Sequence, residues 1–340
     1  MEKKYKNGLV LGKFLPPHRG HLYVIDTAIE NCDIVHVIAT HNDTQSIPGK
    51  LRVDTLIEIY KNNPNVTIHS VDDSGLPQHD SECDTLDEFY SHWVPLVYNN
   101  IKELDVVFTS EDYGSDFARY LKIEHVLVDK ERVKYPVSGT KIRTNPFDNW
   151  MFIPDEIKPF FLKRVAIMGP ESAGKSTMAK KLATRFKTDF VLEYGRLVYE
   201  SNGNKISIDD FIPISKGRQD LEDWIMKSEV SNKVIFCDTE DITTYLFSKM
   251  YCPDDSHKVE DWFINEMNRK NKYDLYLLLN PECKAVQDGT RNFLKERWEH
   301  YEEIKKELTK QGCNFIEVGG KEWDERFDSC VEIIRSNFNI

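Results

Sequence analysis

Gly169-Pro170-Glu171-Ser172-Ala173-Gly174-Lys175-Ser176 has the spacing of a loop that wraps phosphate oxygens. The glycines let the backbone curl so that successive N–H groups face a bound anion. A lysine follows for the β/γ oxygens, and a hydroxyl for Mg²⁺. The apolar run Val165–Met168 precedes this loop and the helical pattern Thr177–Phe186 follows it, the strand–loop–helix setting such a loop needs. Gly169, Glu171, Ser172, Ala173, Gly174, Lys175, Ser176 and Thr177 are therefore expected to bind ATP, with Lys175 catalytic and Ser176 on the metal. Further groups follow. Glu193, three residues before Arg196, ends a β-branched run, where a carboxylate can take a proton from an acceptor hydroxyl. The plainer reading is an ion pair with Arg196. Asp238 ends the run Val234–Cys237, where such proteins place a partner for Mg²⁺, and Glu240 is close by. Asp288-Gly289-Thr290-Arg291, with Arg297 beyond it, reads as a lid whose arginines, Arg291 first, close over a transferring phosphate. The alternative is a loop and a solvated helix face. No Asn/Thr-Lys-x-Asp element in a strand-end context points to guanine selection.

A second cluster lies near the N-terminus. Gly12-Lys13-Phe14-Leu15-Pro16-Pro17-His18-Arg19-Gly20-His21 ends one apolar run and opens a helical one. Two histidines three apart at a helix N-terminus can add N–H donors to those of the free backbone, a favourable setting for phosphate. A Pro-rich turn with two surface histidines is the competing reading. Ser138-Gly139-Thr140-Lys141-Ile142-Arg143 also follows an apolar run and supplies hydroxyls, backbone N–H groups and two cations. Its bland alternative is a helix cap.

These groups need two frames to hold them. Gly8–Phe14, Ile34–Thr40, Val66–Asp72, Val106–Glu111 and His125–Asp129 read as strands separated by helical stretches. Leu22, Ile25, Ile29 and Cys32 recur at helical spacing after the first run, and Leu51–Lys61 reads likewise. The pattern restarts at Arg164, with strands over Val165–Gly169, Phe190–Tyr194, Val234–Asp238, Leu275–Leu279 and Phe315–Val318 and long helices over Ile208–Val230 and Asn292–Gln311. Apolar strands alternating with helices predict two α/β domains, each on a mainly parallel sheet. The expected boundaries are 1–150 and 164–340, joined by a stiff Pro/aromatic linker over 151–163, with the two domains docked.

Length and charge agree with that division. The 340 residues suffice for two cores, and 40% hydrophobic with 30% charged residues is a globular proportion. A net charge of -12 argues against nucleic acid as the main partner. No apolar run reaches the roughly 20 residues of a membrane span, and no signal-peptide core follows Met1. The seven cysteines form no CxxC pair, which speaks against a zinc knuckle or disulfide framework, and Cys32 and Cys237 read as core residues. A cytoplasmic setting is expected. The oligomeric state is open, a homo-oligomer included.

His18-Arg19-Gly20-His21 with Ser138–Arg143 resembles the HxGH nucleotidyltransferase superfamily, and the wider blocks Gly12–His21 and Val137–Arg143 resemble the adenylyltransferase domain of NadR-type proteins. The first domain is thereby identified with a Rossmann-like nucleotidyltransferase. The resemblance implies transfer of AMP from ATP to nicotinamide mononucleotide (NMN), giving NAD and pyrophosphate. It implies that Gly12, Lys13, Phe14, His18, His21, Ser138, Thr140 and Arg143 bind ATP, with His18, His21 and Arg143 catalytic. Thr109–Gly114 resembles the family's nucleotide-contacting segment. For NMN the family often carries two Trp three apart. Here Tyr90 and Trp93 have that spacing, so either ring stacking on nicotinamide or a place in the core fits them.

Residues 164–340 resemble the ribosylnicotinamide kinase domain of the same family, carried by Gly169–Thr177, Glu193–Arg196, Asp238-Thr239-Glu240 and Asp288–Arg291. That implies phosphorylation of nicotinamide riboside by ATP with Mg²⁺, giving NMN. Ala285-Val286-Gln287-Asp288 departs from the family, which commonly has a Trp near this point. The alternative is an adenylyltransferase with an altered or regulatory P-loop domain, a nucleotide switch or a kinase of a different nucleoside. Longer family members carry an N-terminal helix-turn-helix domain, for which the first strand, beginning by Gly8, leaves no room, so operator binding is not expected.

Overall fold

The computed structural model describes residues 3–269, 272–287 and 292–340. The chain divides into two compact units, Met1–Phe160 and Phe161–Ile340.

The first unit runs β1 (Tyr5–Gly12), α1 (Arg19–Asn31), β2 (Cys32–His41), α2 (Gly49–Tyr60), β3 (Val66–Asp72), α3 (Leu86–Asn100), β4 (Val106–Thr109), α4 (Gly114–Leu121), β5 (Glu124–Leu127) and α5 (Gly139–Thr144). Its sheet has the order β3-β2-β1-β4-β5, with every pair parallel. Both faces are covered, as parallel strands require. Val10, Val35, Val37 and Phe108 pack beneath α1 and α2, while Leu9, Ile38 and Val107 pack against α3 and α4. The strand order reverses between β1 and β4. In open α/β sheets that point leaves a crevice beyond the strand ends. The first strand ends two residues earlier than its apolar run suggests, because Phe14 takes φ 46 and turns the chain out of the sheet.

The short helix α6 (Lys158–Phe161) precedes the second unit's first strand. This unit continues through β6 (Lys163–Met168), α7 (Lys175–Phe186), β7 (Phe190–Val191), α8 (Tyr194–Ser201), α9 (Phe211–Met226), β8 (Val234–Asp238), α10 (Asp241–Tyr251), α11 (His257–Met267), β9 (Leu275–Leu279), α12 (Arg297–Lys310), β10 (Phe315–Val318) and α13 (Trp323–Phe338). The order is β10-β9-β6-β8-β7, again parallel, so the crevice falls between β6 and β8. The second strand is shorter than its run, so Glu193 stands two residues past it as the N-cap of α8. The long helical run after it is likewise shorter, broken by a 3₁₀ turn at Ile208–Asp210 before α9 begins.

Candidate functional site

In the first unit a cavity of about 340 Å³ opens at the β1/β4 crevice. The turn after β1 and the start of α5 meet there: Lys13, Phe14, His18, His21, Ser138, Thr140 and Arg143 all line it. His18 is the N-cap of α1, its Nδ1 accepting the His21 backbone N–H at 3.3 Å. With Nδ1 used as acceptor, the proton of a neutral His18 sits on Nε2. The His18 and His21 rings stack, and Phe14 meets His21 edge-on at 5.0 Å. Gly20 keeps them together: a Cβ there would lie 3.1 Å from the His18 ring. Burial, with Arg132 nearby, holds His18 down to about 4. Burial, His18 and Arg132 hold His21 well below its ordinary value. Both are neutral at pH 7.

Ser138 caps α5, accepting the Lys141 N–H at 3.2 Å. Arg143 donates to the Leu15 carbonyl and, at 3.2 Å, to Thr140 Oγ1. The guanidinium thus ties the two segments that the motifs paired. Gly139 permits their approach, since a Cβ there would come within 2.5 Å of the Leu15 carbonyl oxygen. Lys141, the other expected cation, turns back to the Pro136 carbonyl at 3.2 Å and does not line the cavity. Gly12 is the last residue of β1, just outside the lining.

Tyr90 and Trp93 are not brought to this cavity. Both are buried on the inward face of α3; Tyr90 stacks on Tyr120 at 4.4 Å and Trp93 donates Nε1–H to the Pro77 carbonyl at 3.0 Å. Their spacing of three puts them on one helix face, and that face is core. The structure adds residues the sequence did not single out. Arg132 reaches the cavity and pairs with Glu111 at 2.7 Å. Arg52, buried, holds the turn from behind, donating to the Lys13 carbonyl and to that of Ile47 at 3.1 Å.

In the second unit Glu171, Ser172, Gly174, Lys175, Ser176, Thr177, Glu193 and Arg196 line one cavity of about 350 Å³. Gly169 and Gly174 take φ 143 and 89, which L side chains rarely adopt. A Cβ at Gly169 would also strike the Leu279 carbonyl at 2.6 Å. Ala173 is buried in the loop's underside. Lys175 Nζ donates to the Pro170 carbonyl at 3.1 Å, folded over the loop. Glu171 accepts from Tyr251 Oη at 3.3 Å and from the Phe293 N–H at 2.9 Å. Tyr199, Ile206, Phe211, Ile214, Phe247 and Tyr251 supply the cavity's aromatic and aliphatic lining.

Glu193 pairs with Arg196 Nε at 3.4 Å, as the plainer reading has it, and both line the cavity. Asp238 is buried at the end of β8. Burial and then the Glu193 charge push its carboxyl up to about 7; Lys175 and the Ser176 hydroxyl pull the other way. Glu240 is different. It caps α10, accepting the N–H groups of Ile242 at 2.7 Å and Thr243 at 2.8 Å, so its carboxylate is engaged with its own helix. Arg297 is no lid residue: it is buried, donating to the carbonyls of Glu171, Ser172 and Cys283. Arg291, with Asp288–Thr290, lies outside the described residues. The seven cysteines are all free. Among the described residues no helix is long and apolar enough to cross a membrane.

Two parallel sheets, one with a histidine-capped helix at its crevice and one with a P-loop, define a nucleotide-binding α/β protein with a nucleotidyltransferase domain and a P-loop kinase domain. Residues 10–78 match the family described as citrate lyase ligase C-terminal domain, and residues 164–326 match an AAA domain. The chain is 33% identical over 357 residues to the trifunctional NAD biosynthesis/regulator protein NadR of Escherichia coli (strain K12), covering 96% of this chain and 82% of that protein. With the protein of the same name from Salmonella typhimurium (strain LT2) it shares 32% over 363 residues, covering 98% and 84%. A crystal structure of NadR in complex with NR superposes with a TM-score of 0.82 at 21% identity, covering 100% of this chain and 98% of that one. One of NadR with NAD and AMP-PNP gives 0.79 at 23%, with the same coverage. The chain belongs to the NadR family of NAD-biosynthesis proteins.

Proposed function

We propose that this chain is a bifunctional enzyme of NAD synthesis. Its P-loop unit phosphorylates nicotinamide riboside with ATP to give NMN, and its first unit transfers AMP from ATP to NMN to give NAD and pyrophosphate. The observation that carries the reading is the P-loop cavity. It has a phosphate-binding end at Lys175 and Ser176, a carboxylate at Glu193, and a wall of aromatic and aliphatic side chains sized for a nucleoside. Relatives named for NAD biosynthesis, and the complexes of NadR structures with NR, NAD and AMP-PNP, agree with it.

In the kinase step Lys175 and the loop N–H groups hold the β/γ oxygens of ATP. Glu193 orients the ribose hydroxyl and accepts its proton, and its ion pair with Arg196 holds the carboxylate in place. The hydroxyl oxygen bonds to the γ-phosphorus as the bond to the β-bridging oxygen breaks, and ADP leaves. Asp238 Oδ1 is a buried oxygen with no hydrogen-bond partner among the described residues, beside the Ser176 hydroxyl. Hard oxygen donors of this kind suit Mg²⁺, and Asp238 with Ser176 would hold it. When bound, the ion neutralises charge on the β/γ oxygens.

The adenylyl step needs no protein nucleophile. The NMN phosphate is already ionised and attacks the α-phosphorus as pyrophosphate departs. His18, His21, Thr140 and Arg143 supply donors for the charge that builds on the phosphates, while Ser138 and the turn over Lys13 and Phe14 hold the nucleotide in place.

The test is product analysis of the purified chain with ATP, Mg²⁺ and either NMN or nicotinamide riboside. The expected products are NAD with pyrophosphate from the first and NMN with ADP from the second. ATP hydrolysis that is slow and indifferent to nicotinamide riboside would overturn the kinase half in favour of a nucleotide switch. The exposed Ala285, where the family commonly has a ring, favours a second reading of that half, phosphorylation of a different nucleoside.

A further inference from the structure

The P-loop backbone rests on two buried arginines from distant helices. Arg297, on α12, donates Nε–H to the Glu171 carbonyl at 3.0 Å and an Nη2–H to that of Ser172 at 3.2 Å. Arg326, on α13 and fully buried, donates to the Ala173 carbonyl at 3.2 Å and the Asn280 carbonyl at 3.3 Å. Three consecutive loop carbonyls are thus held from behind. In a trans peptide the C=O and the next N–H point in opposite directions. Carbonyls drawn back at Glu171 and Ala173 therefore turn the N–H groups of Ser172 and Gly174 away from the arginines, and both residues line the cavity.

The charge balance is unusual. Buried guanidinium groups are costly unless paired. Among the described residues neither Arg297 nor Arg326 has a carboxylate within 4.0 Å, the Glu282 carboxylate interacting with Arg326 only at longer range, and Arg326 Nε and Nη1 have no hydrogen-bond partner. Two positive charges stand behind a loop built to receive an anion.

We propose that Arg297 and Arg326 are positioning residues for the nucleotide. They fix the direction of the loop N–H groups, and the polyphosphate on the other side of the loop serves as their counter-ion. The proposal rests on the P-loop unit binding a nucleoside triphosphate but not on which acceptor it phosphorylates.

The test is hydrogen exchange by mass spectrometry on the full chain, titrated with ATP and separately with inorganic tripolyphosphate. It reads the segment 169–177 apart from the segment 12–21. In Arg326→Met the concentration giving half-protection of 169–177 should rise about tenfold or more for both ligands, since a charged hydrogen-bonding group is lost. Half-protection of 12–21 by ATP should stay as in the unsubstituted chain. Arg326→Lys, which keeps the charge, should fall between the two. Unchanged half-protection in Arg326→Met, or Lys performing no better than Met, would overturn the proposal. If Arg326→Met loses protection of its β6 and β8 amides without ligand, Arg297→Met and Arg297→Lys carry the same comparison. A chain that binds ATP at 169–177 yet phosphorylates no nicotinamide riboside defeats the kinase assignment and leaves this result intact.

Discussion

The imidazoles of His18 and His21 lie face to face, with centroids 3.6 Å apart and planes 21° apart. Two charges at that separation in a buried turn repel strongly, so the pair is neutral at pH 7. With His18 Nδ1 spent on the helix cap, the proton of that neutral ring is on Nε2. Removing one donor to a developing phosphoryl charge typically costs about 10²–10³ in rate. His21→Ala is therefore expected to lose NAD formation from NMN and ATP by that order while phosphorylation of nicotinamide riboside continues. Adenylyl transfer at the unsubstituted rate would sink the assignment.

The same burial sets a pH dependence. His18 titrates at about 4 when folded, against 6.5 in its ordinary state. Between those values the unfolded chain binds a proton that the folded one refuses, so stability is full above 6.5 and falls as pH drops toward 4. The loss from His18 alone is on the order of 2 kcal/mol by pH 5, and His21 adds to it in the same direction. Exchange of the β1 and β2 amides in the full chain, corrected for intrinsic rates, should show a lower opening free energy at pH 5 than at pH 7. His18→Gln should take one proton off that slope. Equal opening energies at the two pH values would contradict the sign.

Separate cavities predict separable activities. Lys175 lies in the P-loop unit and lines none of the first unit's cavity. Lys175→Ala should abolish conversion of nicotinamide riboside to NMN while supplied NMN still gives NAD. Loss of both reactions in a variant with unchanged circular dichroism would argue against two independent sites.

Glu240 offers a control for the choice of base. Its carboxyl stands at about 7, raised by burial and by Asp241. It already acts as a helix cap rather than an exposed base. Glu240→Gln retains an acceptor for the α10 N–H groups and should leave kinase turnover within about threefold, whereas Glu240→Ala should cost about 1–2 kcal/mol of stability as a lost cap. A collapse of turnover in the Gln variant would make Glu240 a candidate proton acceptor.

How far the sequence reveals this arrangement depends on how local each signal is. The P-loop and the His18–His21 turn were legible because type, spacing and a flanking strand all fall within about ten residues. β3, β8, β9 and β10 matched their runs to the residue; β8 and β9 are interior strands buried along their whole length, as parallel strands covered on both faces are, whereas β3 and β10 are edge strands that are only partly buried. Tyr90 and Trp93 were ambiguous because helical spacing marks a shared face without saying what covers it. Arg297 was misread as lid and Arg326 was missed, yet a signal was present. Arg297 shares a helical stripe with Tyr301, Ile304 and Leu308, and Arg326 with Cys330 and Ile334, all buried. A cation on the apolar stripe of a helix points inward. What it meets there is a loop more than a hundred residues away, which periodicity cannot supply.

The division of labour between Glu193 and Asp238 is the sharpest chemical question. Glu193 lines the same cavity as the P-loop, one helical turn from Arg196. Asp238 is hydrogen-bonded by the Ser176 hydroxyl, with its Oδ1 unpartnered among the described residues. A ribose hydroxyl is a poor nucleophile at neutral pH, and a carboxylate at its proton typically contributes about 10²–10⁴. Glu193→Gln keeps the shape and removes the charge. It should depress kinase turnover by that order at saturating nicotinamide riboside while ATP·Mg²⁺ binding changes little. Asp238→Asn should instead raise the Mg²⁺ concentration needed for half-maximal turnover. The two carboxylates are also coupled: the Glu193 charge raises the Asp238 carboxyl. Removing that charge lowers the Asp238 pKa, so the acid limb of the residual activity in Glu193→Gln should move to lower pH. Near-normal turnover in Glu193→Gln would pass the role of base to Asp238. An acid limb that stays in place would show that the limb does not report Asp238.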